Sequence, residues 1–316
     1  MVGVGNAMTE WALPRDGIDS VVTIGKFDGV HIGHREVVSQ LRARANGRRV
    51  VVVTFDRHPL ELFDPARAPK PILSIPQKVE ALLGAGADRV VVLPFTTEFA
   101  AMSPDTFIDD VLLAGVSASL VLVGSDFRFG AKGAGTIETL TARGSKAGIE
   151  VVQLDHVCVD GGVKVSSSTI RDALVAGDVE SATELLGRPH RVRGLVVHGH
   201  QRGRVLGYPT VNLEENNEGM VPRPGVYAGI LRVHGQDFLA GISVGKNPTF
   251  TDVTRDQVEA HALDADFDAY GSIAEVGFTH WIRDIESFAS VDELIDALHK
   301  DFADIRGLIA DGTLHL

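Results

Sequence analysis

The sequence predicts an α/β doubly wound parallel sheet followed by a small antiparallel β-barrel with a C-terminal helix. Three observations lead there. In the first half, short valine-rich apolar runs alternate with amphipathic stretches, the pattern of parallel strands buried on both faces and joined by helices. Beyond Pro189, strand-like segments follow one another with only glycine, proline and asparagine turns between them. The chain then closes on one segment with apolar residues at helical spacing.

Taken in order, the predicted strands of the first half are Val21–Phe27, Val50–Phe55, Val90–Leu93, Leu120–Gly124 and Ile149–Leu154. The predicted helices between and after them are Gly33–Ala45, Pro76–Leu83, Pro104–Leu113 and Ile137–Lys146. SSSTIRDALVAGDVESATELLGRP (166–189) reads as two short helices. Ser168 or Thr169 is placed to cap the first, Gly177 to end it and Asp178 to cap the second. The barrel strands are His190–Val197, Gly225–Val233, Phe238–Val244, Gln257–Leu263 and Ile273–Trp281. In the last helix, Ser290-Val-Asp-Glu293 forms a capping box. Val291, Leu294, Ile295, Leu298, Phe302, Ile305 and Ile309 share its apolar face. The change of pattern near Gly187 divides the chain into domains of residues 1–186 and 187–316, each long enough to bury its own core.

Composition narrows the function. The chain has 316 residues, 44% hydrophobic and 23% charged, with a net charge of −12. Both halves are acidic, so neither has the basic excess of a nucleic-acid binder. Cys158 is the only cysteine, which excludes an internal disulfide and a multi-cysteine zinc site. It reads as a small buried apolar residue. The N-terminus lacks a basic region followed by a long apolar one, and no stretch approaches the ~18–20 apolar residues that span a bilayer. The expected setting is a reduced cytoplasm, with small-molecule partners and neither nucleic acid nor membrane.

The motif richest in chemistry is GKFDGVHIGH (25–34), at the predicted turn from the first strand into a helix. In doubly wound sheets, ligands bind beyond the carboxyl ends of the strands. His31 and His34 are one helical turn apart where backbone N–H groups and the helix dipole favour an anion, so two imidazoles can donate to phosphate oxygens. Gly25, Gly29 and Gly33 keep side chains out of a nucleotide's way. Together these suit attack on the α-phosphorus of ATP with pyrophosphate leaving, a reaction that needs positioning and charge stabilisation. The letters HIGH also occur in class I aminoacyl-tRNA synthetases, but this chain has no KMSKS and no basic surface for tRNA.

Other motifs fall on the same side. SSSTIR (166–171) places hydroxyls and Arg171 at a helix start, suited to pyrophosphate, although such a string is more often a plain cap. In GSDFRFGAKGAG (124–135), Asp126 and Arg128 sit at a strand's carboxyl end, while Ala131–Gly135 reads as a mobile loop. His58 of TFDRHP (54–59) is equally a ligand or a simple turn residue. In the second half, GHQRGRVLGYPTVNL (199–213) offers Gly199, Gly203 and Gly207 with Arg202 and Arg204, which could wrap phosphates. In the same stretch, Thr210 and Asn212 are neutral oxygen ligands for Mg²⁺. Glu259 of VEAHALD (258–264) could accept a proton from a substrate hydroxyl, or be a solvated edge carboxylate.

From about Val21 to the C-terminus, the chain resembles the bacterial bifunctional riboflavin kinase/FMN adenylyltransferases, or FAD synthetases. GKFDGVHIGH, TFDRHP, GSDFRFG and SSSTIR carry the likeness in the first half. RGRVLGYPTVN, GVYAG, GKNPTF, VEAHALD and AYG carry it in the second. The resemblance implies a Rossmann-like nucleotidyltransferase domain that transfers AMP from ATP to FMN. Gly25, Phe27, Asp28, Gly29, His31, His34 and Asp126 would bind ATP there, with Ser167, Ser168, Thr169 and Arg171 forming a second phosphate site. It implies a second domain that phosphorylates riboflavin, with Thr210 and Asn212 binding Mg²⁺–ATP and Glu259 as base. The family's usual PTAN is here PTVN. Arg57 replaces a usual proline, Lys246 a small residue, and Ala265 and Ala269 interrupt the usual pattern around the expected flavin site. Two other readings stand beside this one: an HxGH nucleotidyltransferase with another acceptor, and a non-catalytic flavin-binding regulator. Residues 190–290 discriminate against the first, and the intact His31, His34, Thr210, Asn212 and Glu259 against the second.

Overall fold

The computed structural model describes residues 13–154, 165–198, 210–245, 256–265, 267–310 and 312. Cys158, Gly203, Arg204, Gly207 and Lys246 lie outside the described residues. The chain separates into two compact units, residues 1–167 and 168–316.

In the first unit, five parallel strands are arranged in the order β3-β2-β1-β4-β5. They are β1 (Ser20–Ile24), β2 (Arg49–Phe55), β3 (Arg89–Leu93), β4 (Ala118–Gly124) and β5 (Glu150–Leu154). Alternate residues serve opposite faces, which is why the runs read as continuous valine. Val22, Ile24, Val51, Val53, Val121 and Val123 enter one core cluster with Phe99, Phe107 and Phe129. Val21, Val50, Leu120 and Leu122 enter another with Leu41 of α1 (Ile32–Ala43). The chain runs from β1 outward to β3, then crosses back to β4. The strand order therefore reverses between β1 and β4, where such sheets open a ligand crevice.

Several expectations need adjustment here. The first strand ends at Ile24 rather than Phe27, because the chain leaves the ladder after the Gly25 N–H bonds the Val53 carbonyl, and Phe27 takes a φ of 49°. The expected helix Pro104–Leu113 is a single α-turn, Pro104–Thr106, that widens into a π-helix over Phe107–Leu113. The wider turn carries the Ala114 N–H to the Asp109 carbonyl at 2.9 Å and seats Phe107, Ile108, Val111 and Leu112 in the core. Ala131–Gly135 is a 3₁₀ turn followed by a two-residue antiparallel bridge, Phe129 to Gly135.

The second unit is a closed barrel in the order β10-β7-β6-β11-β8-β9. Its strands are β6 (His190–Val197), β7 (Thr210–Leu213), β8 (Gly225–Val233), β9 (Gln236–Gly245), β10 (Gln257–Ala262) and β11 (Ile273–Arg283). Tyr227 and Phe278 of its strands are fully buried and packed edge to face with centroids 5.3 Å apart. At Gly229 the strands come so close that a Cβ would lie 2.0 Å from the Gly277 carbonyl oxygen. The C-terminal helix, Val291–Ala310, lays Phe302 and Ile305 on Ala228, Leu239 and Leu263. Ser290 caps it as expected, accepting from the Glu293 N–H at 3.2 Å. Glu293 reaches back one residue further, to the Ala289 N–H at 2.8 Å.

The helices Ser167–Ala176 and Val179–Leu186 also pack on this barrel. The Glu180 carboxylate accepts from the Trp281 N–H at 2.9 Å, and the Leu174 carbonyl accepts from the Arg223 N–H at 3.0 Å. Asp178 caps the second helix as expected, through the Ser181 N–H at 3.0 Å. The first helix begins at Ser167, so Ser168 and Thr169 lie inside its opening turn rather than at the cap.

Candidate active sites

In the first unit, the path after β1 is set by backbone constraint. Thr54 donates its hydroxyl to the Lys26 carbonyl at 3.1 Å. Lys78, 7% exposed, extends its ammonium to the Phe55 carbonyl at 2.8 Å and the Lys26 carbonyl at 3.4 Å. Burial pushes the Lys78 ammonium below its ordinary pKa, while the nearby carboxylates of Asp28, Asp56 and Glu61 oppose that shift. Phe27, Gly29 and Val30 all have positive φ, at 49°, 81° and 44°. For a β-branched valine this is strained, and full burial of its side chain holds it in place.

This turn delivers His31 to the N-cap of α1, where its Nδ1 accepts from the His34 N–H at 3.3 Å. A ring nitrogen that accepts carries no hydrogen, so in the neutral ring the proton sits on Nε2, as a donor. The His31 and His34 rings stack with centroids 3.6 Å apart, and the Phe27 ring packs against His34 at 5.0 Å. His31 is 6% exposed and thus held in one orientation. Both imidazoles stand at a helix N-terminus, where the free N–H groups and dipole favour anionic oxygen.

Asp28 lies in the same turn. Its carboxylate accepts from the Ile72 N–H at 2.9 Å and the Leu73 N–H at 3.4 Å, and its carbonyl accepts from the Ser167 hydroxyl at 2.9 Å. It fastens the turn to two distant segments. Gly25 sits against the Phe27 ring, with room for a Cβ only at 3.1 Å.

A cleft of about 1150 Å³ opens at the carboxyl ends of the strands. Gly25, Lys26, Phe27 and His34 line it after β1; Asp126, Phe127, Arg128 and Phe129 line it after β4; and Ser167 borders it. Much of the remaining wall is phenylalanine. Phe55 and Phe95 pack edge to face at 5.6 Å, Phe63 meets Phe95 at 6.2 Å, and Phe127 stacks on Phe129 at 5.4 Å. Reading the sequence missed this aromatic wall. The signal was present, because Phe55, Phe95 and Phe127 each fall at or within three residues of a strand's last residue. His58 is the N-cap of a short helix, Pro59–Phe63. Its Nδ1 accepts from the Leu60 N–H at 3.1 Å, and its Nε2 lies 3.3 Å from the Lys26 ammonium. Arg57 pairs with Asp56 at 2.9 Å. Ser168, Thr169 and Arg171 continue into the helix that belongs to the second compact unit.

In the second unit, antiparallel pairing does the assembly. Thr210 lies directly opposite His261, and Asn212 directly opposite Glu259. Because side chains alternate along strands, these four share one face of the β7–β10 ladder. The Thr210 hydroxyl is 3.1 Å from His261 Nδ1, and His261 Nε2 is 3.8 Å from the Glu259 carboxylate. Asn212 is 7% exposed. Thr210 and Asn212 thus present two uncharged oxygens on one face, a donor set that fits a hard cation already carrying phosphate oxygens. Among the described residues, no group of three or more His, Cys, Asp or Glu gathers as a metal site. Near the departures from the family pattern, Ala269 is buried and Phe267 packs on Phe238 at 4.8 Å.

The chain thus carries a parallel sheet with a histidine pair at a helix N-terminus, followed by a barrel with a hydroxyl, an amide and a carboxylate on one ladder face, an arrangement that suits a two-module transferase. The sequence profile of the FAD synthetase family matches residues 14–169, and that of the riboflavin kinase family residues 186–309. Bifunctional riboflavin kinase/FMN adenylyltransferases from Listeria monocytogenes and Escherichia coli are both 36% identical to it. The first match covers 93% of each chain and the second 91%. The Bacillus subtilis protein of the same name is 34% identical over 89% of this chain and 90% of its own. A crystal structure from Streptococcus pneumoniae, described as a macrolide-efflux protein, superposes with a TM-score of 0.81. It is 34% identical, over 92% of this chain and 94% of that one. The chain belongs to the bifunctional riboflavin kinase/FMN adenylyltransferase family. Among the described residues, no helix is long and apolar enough to cross a membrane.

Proposed function

We infer that this chain converts riboflavin to FMN and FMN to FAD, drawing on ATP in both steps, and that residues 187–316 serve the first reaction and residues 1–186 the second. The observation that carries the reading is that each half assembles its own set of chemical groups: the stacked His31–His34 pair at a helix N-terminus, and the Thr210–Asn212–Glu259 face.

In adenylyl transfer, an FMN phosphate oxygen attacks the α-phosphorus of ATP, the bond to the bridging oxygen breaks, and pyrophosphate leaves. The His31 Nε2–H, the His34 imidazole and the helix N-terminus stabilise the negative charge that grows on the phosphate oxygens. Gly25 and Gly29 let the nucleotide approach the backbone. Asp126 and Arg128 line the cleft beside them, and Ser167, Ser168, Thr169 and Arg171 receive the departing pyrophosphate. The phenylalanine wall suits the flat apolar isoalloxazine ring, which stacks favourably on aromatic faces. Phe27 and Asp28 bind ATP beside Gly25 and Gly29 and shape the turn.

In riboflavin phosphorylation, Glu259 takes the proton of the 5′-hydroxyl as that oxygen attacks the γ-phosphorus, and ADP leaves. Thr210 and Asn212 would hold Mg²⁺, which neutralises charge building on the β- and γ-phosphates. Gly203, Arg204 and Gly207, on the sequence motif alone, would bind the nucleotide's phosphates. The single cysteine and these small-molecule substrates suit a cytoplasmic setting. Incubation with riboflavin, ATP and Mg²⁺, followed by separation of the flavins, should show FMN first and then FAD. Absence of any ATP-dependent conversion by folded protein would sink the bifunctional reading.

A further inference from the structure

We propose that His261 is a positioning residue of riboflavin phosphorylation, tying the Thr210 hydroxyl to the Glu259 carboxylate. The inference rests on the assignment of Thr210, Asn212 and Glu259 to that reaction, and it adds a role for a residue that the assignment leaves idle. His261 lies between the other two. It faces Thr210 across the ladder with Nδ1 at 3.1 Å from the hydroxyl oxygen. It follows Glu259 by two residues on the same strand face, with Nε2 at 3.8 Å from the carboxylate. The imidazole side chain is 12% exposed and held between strands, whereas the Glu259 side chain is 37% exposed and has room to move. A small rotation of the carboxylate converts 3.8 Å into a hydrogen bond, and such contacts commonly tighten only when substrate is present.

The direction of the bonds follows from what Thr210 must do. A hydroxyl that offers an oxygen lone pair to a cation is best oriented when its own hydrogen is donated elsewhere. His261 Nδ1 is the acceptor on hand. Accepting there leaves the ring proton on Nε2, where it faces an acceptor-only carboxylate. One neutral ring therefore fixes both groups: it turns the Thr210 lone pair outward and holds Glu259 on the side of the incoming hydroxyl. Outer partners of this kind typically contribute about 10–100-fold to metal affinity or activity. Leucine can fill the space of an imidazole but bridge nothing. Glutamine can bridge, its amide oxygen accepting from Thr210 and its amide nitrogen donating to Glu259.

The test uses the full chain with three substitutions, His261→Leu, His261→Gln and Glu259→Gln, each assayed for FMN formation from riboflavin. The circular-dichroism spectrum and melting transition of each variant serve as the fold control, and adenylylation of supplied FMN shows that the other unit is unaffected. His261→Leu should lower kcat for phosphorylation about 10–100-fold, with KM for riboflavin little changed, and His261→Gln should recover most of that loss. A second readout needs no turnover. Ring ¹⁵N shifts of His261 in the wild type should report the Nε2–H tautomer, and Thr210→Val should abolish that preference. Equal loss in the leucine and glutamine variants would reduce His261 to packing and overturn the proposal. Undiminished phosphorylation in His261→Leu beside an impaired Glu259→Gln would overturn it while sparing the site. Full activity in Glu259→Gln would overturn the site assignment and the proposal together. An Nδ1–H tautomer would mean that the ring donates to Thr210, which also overturns it.

Discussion

His31 illustrates how much chemistry one placement can settle. By capping α1 through Nδ1, it commits its remaining nitrogen as a donor at the helix N-terminus. His34 stacks on it and is itself fixed by Phe27. Donors held so rigidly cost little reorganisation when charge develops, and removal of one typically costs ~10²–10³-fold in rate. His31→Ala and His34→Ala should therefore each slow FAD formation from FMN by about that factor, leaving riboflavin phosphorylation nearly intact. Glu259→Gln should do the opposite, lowering FMN formation by ~10²–10⁴-fold while sparing adenylylation. Assaying the two half-reactions separately in each folded variant checks the assignment. A crossed pattern would place the chemistries in the wrong halves.

Elements matter here by what they deliver to the sheet's carboxyl edge. β1 can deliver GKFDGVHIGH only if its start is secured, and Asp16, just ahead of β1, does this by bonding the Arg49 guanidinium of β2 at 2.6 Å and 3.0 Å. The Arg49 hydrogen bond holds the Asp16 carboxyl down to about 2, from an ordinary 3.8. A carboxylate with a lowered folded pKa stabilises the native state above its unfolded pKa and loses that contribution on protonation. The contribution should be complete above about pH 4 and disappear between about pH 4 and pH 2. Denaturation midpoints measured across that window should fall less steeply for Asp16→Asn than for the wild type. Identical slopes would show that the pair has no part in holding β1.

Across the whole molecule, compactness and sequence pattern divide the chain at different places. The pattern changes at Gly187, yet the helices Ser167–Ala176 and Val179–Leu186 bury Ile170, Leu174, Val179, Ala182, Leu185 and Leu186 within the unit that contains the barrel. A fragment starting at residue 187 loses that cover over Trp281 and Arg223. Removal of several buried aliphatic side chains at ~1.5–3 kcal/mol each is large against a small domain's net stability. Residues 168–316 should therefore melt clearly above residues 187–316, and the longer fragment should make FMN but no FAD. Calorimetry with a product assay decides it. Equal melting temperatures would show that the helix pair adds nothing to the barrel.

The sequence by itself determined most of the element types and pointed to the carboxyl edge of the sheet, although it did not show the strand Thr210–Leu213. Strand alternation, helix caps and glycine turns are local, so the valine runs, Asp178, Ser290 and the His31-x-x-His34 spacing could be read directly. The expected helix Ile137–Lys146 and the expected strands His190–Val197 and Gly225–Val233 agree with the structure residue for residue. Contacts between distant segments were decided only by the tertiary structure. That Asp28 clamps residues 72 and 73, and that phenylalanines from several strand ends form one wall, depends on the order of strands in the sheet. That His261 faces Thr210 while Glu259 faces Asn212 depends on register, and a slip of one residue would turn every one of those side chains to the other face. Periodicity along one chain carries no information about which partner it meets, and for this protein that pairing is what brings the two motifs onto one face.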